Sequence, residues 1–359
     1  VAILNQELSM ATTRHAKTGS EPTLSLPDLP AVPWSKFGGE APKQLSCEAG
    51  TLPAADVVIL TWAEAEWAAL EQVFVESSTP MPYSARNTSK WDGWYRYDWD
   101  MPSGKWPQYW DYWGEYRLVE VRGKKVLLFK SNTHLDWPGQ SYLEQMTSQL
   151  LDATGASLLL SIGTAGGAEL HDHEGTVRVV SSGQLYDTDY PTAPSKWATY
   201  YCDWTADDSF LAKADFTQSL FPIPTTKSDL ESLASAFEDG KYDLSTLDAN
   251  GLCFGDDTVK VYDMTPNKQP LVTTATFVVA TDAKNSPFAD KAVVEMDDAV
   301  LGKVCHEKGI EFGFVRNVSD PVQNADLPVS VQGDWGGVIY RTYGLYTSYN
   351  GALVAWAVI

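Results

Sequence analysis

Residues 310–318 limit the fold of this chain more than any other stretch. They are apolar apart from Glu311, Arg316 and Asn317. A run of that kind suits a β-strand covered on both faces, as in a sheet with helices packed on either side. Just upstream, residues 292–295 read as the end of another strand. Asp297 or Asp298 then caps a helix that buries Val300, Leu301, Val304 and Cys305, and Gly309 closes it. The long strand delivers Ser319 and Asp320 at its exit, so acidic groups stand at two neighbouring strand ends. In open α/β sheets ligands bind at such ends, where a carboxylate can hydrogen-bond a substrate or exchange a proton with it.

The same alternation recurs along the chain. Residues 57–60 form a short apolar strand, and residues 63–73 read as a helix burying Ala65, Trp67, Ala69, Leu70 and Val73, with Glu64 and Glu66 at the junction. Residues 116–121 and 124–130 flank Arg122-Gly123 as a hairpin, and a helix is expected over 142–153. Residues 157–162 feed Gly163, Thr164, Ala165, Gly166 and Gly167, whose tandem glycines let a loop turn sharply and present backbone N–H groups. Further strands are expected over 175–181 and 273–281, and helices near 209–217 and 227–237. A terminal helix over 335–359 should bury Val338, Tyr343, Leu353, Val354 and Trp356. The expected fold class is α/β: three αβα layers around a central mixed, twisted sheet.

Residues 1–54, rich in Pro, Ser, Thr and Gly, read as an extended N-terminal arm that Leu26, Leu29, Val32 and Trp34 can pin down. The domain proper then covers 55–359, with insertions at about 80–116 and 190–270. The first insertion holds six of the fourteen tryptophans, which suits a substrate lid, a sugar-stacking platform or a subunit interface. A formal net charge of −21, from 47 acidic and 26 basic residues, argues against nucleic acid and anionic lipid as partners and favours a neutral small molecule. Cys47, Cys202, Cys253 and Cys305 are too scattered for a zinc knuckle or a disulfide framework. His171 and His173 flank Asp172 in a polar loop with no further ligands, so no metal is expected. No apolar run reaches the length of a membrane span, and a cytoplasmic location is expected, although the chain starts at Val1 and a removed leader stays open.

Four motifs, in order, carry a resemblance. T-W-A-E-A-E-W-A-A-L (61–70), S-I-G-T-A-G-G (161–167), V-E-M-D-D-A (294–299) and V-R-N-V-S-D (315–320) resemble the nucleosidase and nucleoside phosphorylase superfamily, both its methylthioadenosine/S-adenosylhomocysteine nucleosidase-like and its purine nucleoside phosphorylase-like members. The resemblance implies a nucleoside phosphorylase-like fold and cleavage of the N-glycosidic bond of a nucleoside, with a purine as the expected base. It implies Asp320 as the acid at the leaving base, oriented by Ser319, and Glu66 as the base that activates water. It also implies Asp297 as acceptor of the ribose diol with Met296 packed on the sugar, Glu295 in support, and Thr164, Ala165 and Gly166 beside the ribose and nucleophile. Asp282 aligns with the acid of the family's S-G-D-x-F.

Departures from the pattern are equally specific. Asp297 replaces the family's Glu, only Gly139 matches its G-x-G loop, with His134, Asp136 and Trp137 where small residues are usual, and Lys284 stands at a base-stacking aromatic position. Three readings stay open: a nucleosidase using water and no cofactor, a phosphorylase with inorganic phosphate as co-substrate, and a non-catalytic binding or storage protein on the same frame. Phosphate would need a cation near Gly163, for which Arg117, Arg178 and Arg341 are candidates. The family resemblance also implies a homo-oligomer, a dimer or trimer.

Overall fold

The computed structural model describes residues 24–102, 110–170, 172–242, 259–276, 278–282, 286–323 and 326–359. His171, Cys253, Lys284 and Trp106 lie outside them, as do residues 1–23 of the expected arm. Thirteen strands among the described residues join one sheet. In chain order they are β1 (Lys43–Leu45), β2 (Val57–Thr61), β3 (Tyr95–Tyr97), β4 (Gly114–Val121), β5 (Lys124–Ser131), β6 (Leu158–Gly167), β7 (Val177–Val180), β8 (Ser182–Leu185), β9 (Ala198–Tyr201), β10 (Val261–Asp263), β11 (Leu271–Thr273), β12 (Val293–Glu295) and β13 (Glu311–Asp320). The α-helices among the described residues are α1 (Trp34–Phe37), α2 (Glu64–Leu70), α3 (Gln140–Thr154), α4 (Ala214–Thr217), α5 (Lys227–Ala236), α6 (Asp298–Lys308) and α7 (Val329–Val358).

The sheet is mixed. β5, β2, β6 and β13 run parallel side by side, while β4 pairs β5, β12 pairs β6 and β7 pairs β13 antiparallel. Successive residues of the parallel strands serve opposite faces, and each face has its own core. Val57, Ile59, Val126, Leu128, Leu158, Leu160 and Val315 pack with α2 and α7. Val58, Leu60, Leu127, Phe129, Leu159, Phe312 and Phe314 pack with α3 and α6. Both faces are covered, which is why these strands read as unbroken apolar runs.

Leu29, Val32 and Phe37 lie on the first of these cores, whereas Leu45, Cys47 and Leu52 pack on the second. Leu29 bridges Met81, Trp34 Nε1 donates to Ser77 Oγ at 3.0 Å, and β1 extends the sheet beyond β4. The rings of Trp34 and Phe37 lie 4.7 and 5.7 Å from that of Trp356 on α7, contacts worth ~0.5–1.5 kcal/mol each beyond their buried area. In the aromatic insertion Trp94, Trp110 and Trp113 are buried within the chain, whereas Trp99 is 68% exposed.

Some expectations give way. The strand expected over 273–281 ends at Thr273, because beyond it the backbone finds only single partners: Thr274 N–H donates to Glu295 O and Thr281 bridges Gln323. Of the helix expected near 209–217 only α4 forms, since Asp207 draws the Ser209 N–H to its side chain (2.9 Å) in a turn. The helix expected over 63–73, α2, stops being α-helical at Leu70 and continues as a π turn over Glu71–Val75. Val338 is half-buried, while Tyr343, Leu353, Val354 and Trp356 are buried as expected. Among the described residues no helix is long and apolar enough to cross a membrane.

Candidate active site

Glu66 is the third residue of α2 and reaches back over the start of the helix. Its Oε2 accepts from the N–H group of the N-cap residue Ala63 (2.9 Å), as in a capping box, and from Trp62 N–H (3.0 Å) and Thr61 Oγ1 (2.8 Å) just before the helix. Its Oε1 accepts from Thr164 N–H (2.8 Å) and Oγ1 (2.9 Å) on β6. Burial alone would raise this carboxyl, but Arg316 and the backbone donors outweigh it and hold Glu66 below the usual range. Five donors meet about four lone-pair sites, so a water reaches Glu66 only by displacing one, and the hydroxyls of Thr61 and Thr164 are the donors free to rotate.

Arg316 ties the site together. Parallel pairing sets it opposite Gly163, and a side chain there would not fit: a Cβ on Gly163 would lie 2.4 Å from Arg316 Nη1 and 2.9 Å from Glu66 Oε1. The guanidinium grips Asp298 through Nε (2.7 Å) and Nη2, donates to Ser161 Oγ (2.8 Å) and Thr164 O (3.3 Å), and lies 3.4 Å from Glu295 Oε2. Burial opposes its charge, but Asp298 and Glu295 more than restore it and raise the guanidinium further. Neither Arg316 nor Asp298 stood among the expected site residues. The available signal was a charge inside a strand covered on both faces, which demands a buried counter-ion.

The expected cap of α6 is corrected. Asp297 occupies the N-cap position without a side-chain cap bond. Glu295 takes the task instead, accepting from the N–H groups of Asp297 (2.6 Å) and Asp298 (3.0 Å) and from the Thr273 hydroxyl. Burial and the neighbouring Asp298 push Glu295 up, against the pull of Arg316. Asp297 turns toward the loop before α3: its Oδ1 accepts from Leu135 N–H (2.8 Å) and its Oδ2 meets His134 Nδ1 (3.2 Å). Burial would lower His134, yet the Asp297 carboxylate raises it overall. The ring of His134 lies 6.0 Å from that of Trp62.

The tandem glycines do not turn as expected: β6 runs on as a strand through Gly167 because β12 and β13 pair with it there, and Asp320 closes the circuit opposite Gly166. Its Oδ2 would be 3.2 Å from a Cβ on Gly166, and its own Cβ lies 3.3 Å from the position of one on Gly336 of α7. Ser319 Oγ donates to its Oδ1 (3.0 Å), but burial dominates and pushes Asp320 up to about 7. Farther along α7, burial and the charges of Glu66 and Glu64 raise the Tyr340 phenol.

Contacts thus bring Glu66, Thr164, Gly166, Glu295, Asp297, Ser319 and Asp320 into one circuit around residues 163–166, with Ala165 buried beneath and Met296 half-buried beside it. Asp282 differs, being exposed, its N–H donating to Gln323 O (3.1 Å). Of the candidate phosphate ligands, Arg117 donates to Asp92 O and Gln44, and Arg178 pairs with Asp172.

The family model described as the phosphorylase superfamily matches residues 112–334. No curated protein sequence matches the chain. Similar solved structures include a 5′-methylthioadenosine/S-adenosylhomocysteine nucleosidase from Neisseria meningitidis in complex with methylthio-immucillin-A, at 13% identity and TM-score 0.43, covering 84% of this chain and 98% of that one. The corresponding nucleosidase of Helicobacter pylori is 12% identical, with TM-score 0.44 and coverage of 85% and 97%. The futalosine hydrolase of Helicobacter pylori is 14% identical, with TM-score 0.40 and coverage of 84% and 98%.

Proposed function

Since the chain belongs to the phosphorylase superfamily, we propose that it is a nucleosidase, cleaving the N-glycosidic bond of a nucleoside, purine in the first instance, with water as nucleophile. The reading rests on one arrangement: the buried Glu66, bonded to Thr164, and the half-buried Asp320, against Gly166, flank the same end of β6 and are pushed in opposite directions, Glu66 down and Asp320 up to about 7. Such a divided pair supplies an anion and an acid to one reaction. Bond cleavage makes an oxocarbenium-like sugar and a basic leaving nitrogen. Asp320 gives that nitrogen its proton as the C–N electron pair moves to the base. Water, seated on Glu66 Oε1 in place of the Thr164 hydroxyl, attacks the sugar carbon and releases its proton toward Glu66. Asp297, already positioned by His134 and Leu135, accepts from the sugar hydroxyls.

Water is favoured over phosphate because the Thr164 N–H, the amide an anion would claim, is held by the Glu66 carboxylate. The phosphorylase reading has one observation on its side: the charge of Lys130, an amine that burial holds below its usual range, reaches Glu64 and Glu66.

Purified protein incubated with adenosine, inosine, methylthioadenosine and uridine in phosphate-free buffer should release free base from at least one, measured chromatographically. Asp320→Asn should slow release by ~10²–10⁴-fold, the usual worth of a positioned acid. Turnover only with added phosphate would replace the nucleosidase reading by the phosphorylase one. Absence of base under both conditions would leave a binding protein.

A further inference from the structure

Between β5 and α3, where the superfamily pattern has small residues, this chain carries His134, Asp136 and Trp137. The aromatic insertion fixes that loop. Trp110, only 3% exposed, donates from Nε1 to Thr133 Oγ1 (3.2 Å), and Trp62 Nε1, from the junction of β2 and α2, donates to Thr133 O (2.9 Å). The ring of Trp110 also packs edge-on against Trp137 and Tyr142, at 6.2 and 5.1 Å. On the far side His134 N–H donates to Trp137 O (2.8 Å), so the backbone is tied both before and at His134. The imidazole Nδ1 and the Leu135 N–H then converge on Asp297, at 3.2 and 2.8 Å.

The imidazole is the accessible part of this pair. The His134 side chain is 32% exposed against 6% for Asp297, so a ligand approaching the carboxylate meets the ring. Nδ1 is engaged by Asp297, while Nε2 has no hydrogen-bond partner among the described residues. A carboxylate only accepts, and so satisfies the hydrogens of a sugar diol. Each sugar hydroxyl also has lone pairs that call for a donor. Burial lowers the imidazole, but Asp297 and Asp136 raise it overall against the charge of Lys130 on β5. The imidazolium form so favoured carries a proton on Nε2.

We propose that His134 is a sugar-binding residue, its Nε2 donating to a hydroxyl of the nucleoside whose hydrogen Asp297 accepts, and that the pair selects ribonucleosides over their deoxy forms. The inference rests on the nucleosidase reading for Asp297 as the sugar acceptor. It also gives the tryptophan-rich insertion a task. Trp110 braces the loop from beneath, so the backbone that carries the ring is already ordered before the sugar arrives.

Two substitutions separate a sugar contact from a purely structural part. The amide nitrogen of Asn takes the place of Nδ1 and that of Gln the place of Nε2. His134→Asn therefore keeps the bond to Asp297 and loses the reach to the sugar, while His134→Gln does the opposite. In phosphate-free buffer kcat/KM is compared between each nucleoside the protein cleaves and its 2′- and 3′-deoxy analogues. Wild type should favour the ribonucleoside by about tenfold or more over at least one analogue, the worth of one hydrogen bond. His134→Asn should lose that preference and His134→Gln should keep most of it. The reverse order, a preference unmoved in both variants, or none in wild type, overturns the proposal. A second measurement needs no turnover. With the imidazole carbons labelled, NMR follows the five histidines in the slow Asp320→Asn background, and the His134 signal is the one that His134→Gln removes. Adenosine, inosine, methylthioadenosine or uridine should move this signal where the free base does not, and a signal unmoved by all four overturns the contact. Should no nucleoside yield base, the proposed reaction falls, and the NMR comparison alone then decides whether His134 meets the sugar.

Discussion

Replacing Arg316 by Met should expose how far the site depends on one buried cation. The guanidinium binds Asp298 through two nitrogens and lies within reach of Glu295 and Glu66, all of them buried. Breaking a buried pair by removing one partner costs ~3–5 kcal/mol, against a total stability of ~5–15 kcal/mol for a typical fold. The loss should also depend on pH. Without Arg316 the carboxyls of Glu295 and Asp298, already above their unfolded values near ~4, rise further, and Glu66 loses the charge that holds it down, so between those values the folded variant binds protons that the unfolded chain has released. Its stability then falls as pH rises. One proton beyond those bound by wild type is worth ~1.36 kcal/mol per pH unit, so the deficit at pH 8 should shrink by ~2.7 kcal/mol at pH 6. Urea unfolding followed by circular dichroism at both pH values measures this directly. The double variant Arg316→Met, Asp298→Leu, which replaces the pair instead of breaking it, should recover most of the loss. A single-variant deficit below about 1 kcal/mol, or one equal at both pH values, would refute the view of Arg316 as counter-ion to this cluster.

Gly163→Ala should destabilise the protein by ~1–3 kcal/mol and depress base release together, because the added methyl meets both Arg316 and Glu66; unchanged thermal unfolding would contradict the close approach. Asp320→Asn should lose activity yet gain stability at alkaline pH. Asp320 sits at about 7 in the fold against ~3.9 unfolded, so wild-type stability falls as pH rises through that window by on the order of 4 kcal/mol, and the amide removes this slope. A constant difference between the two proteins in urea unfolding at pH 5 and 8 would show that Asp320 is not held protonated.

Much of the frame was legible because strands covered on both faces leave a plain signal. β2, β5, β6 and β13 appear as apolar runs, and Gly309 marks the end of α6 by its left-handed conformation. The segment beyond Thr273 misled, since β-branched residues favour a strand only where a neighbour completes the ladder, and here the ladder stops. The motifs located Glu66, Glu295, Asp297 and Asp320, but their pairing was hidden. Nothing local says that Glu295 caps α6 while Asp297 holds the His134 loop, because the choice depends on where a loop some 160 positions earlier lands.

The wiring around Arg316 has a consequence for the order of assembly. Its partners arrive from β6, α2, β12 and α6, whereas the cation itself comes only with β13. Until that strand docks, Glu66, Glu295 and Asp298 converge without their guanidinium partner, which disfavours early collapse of this corner. Contacts so distant in sequence also form slowly. The corner that would carry the chemistry should therefore close only once β13 has docked, and a chain stalled before that step should hold no reactivity.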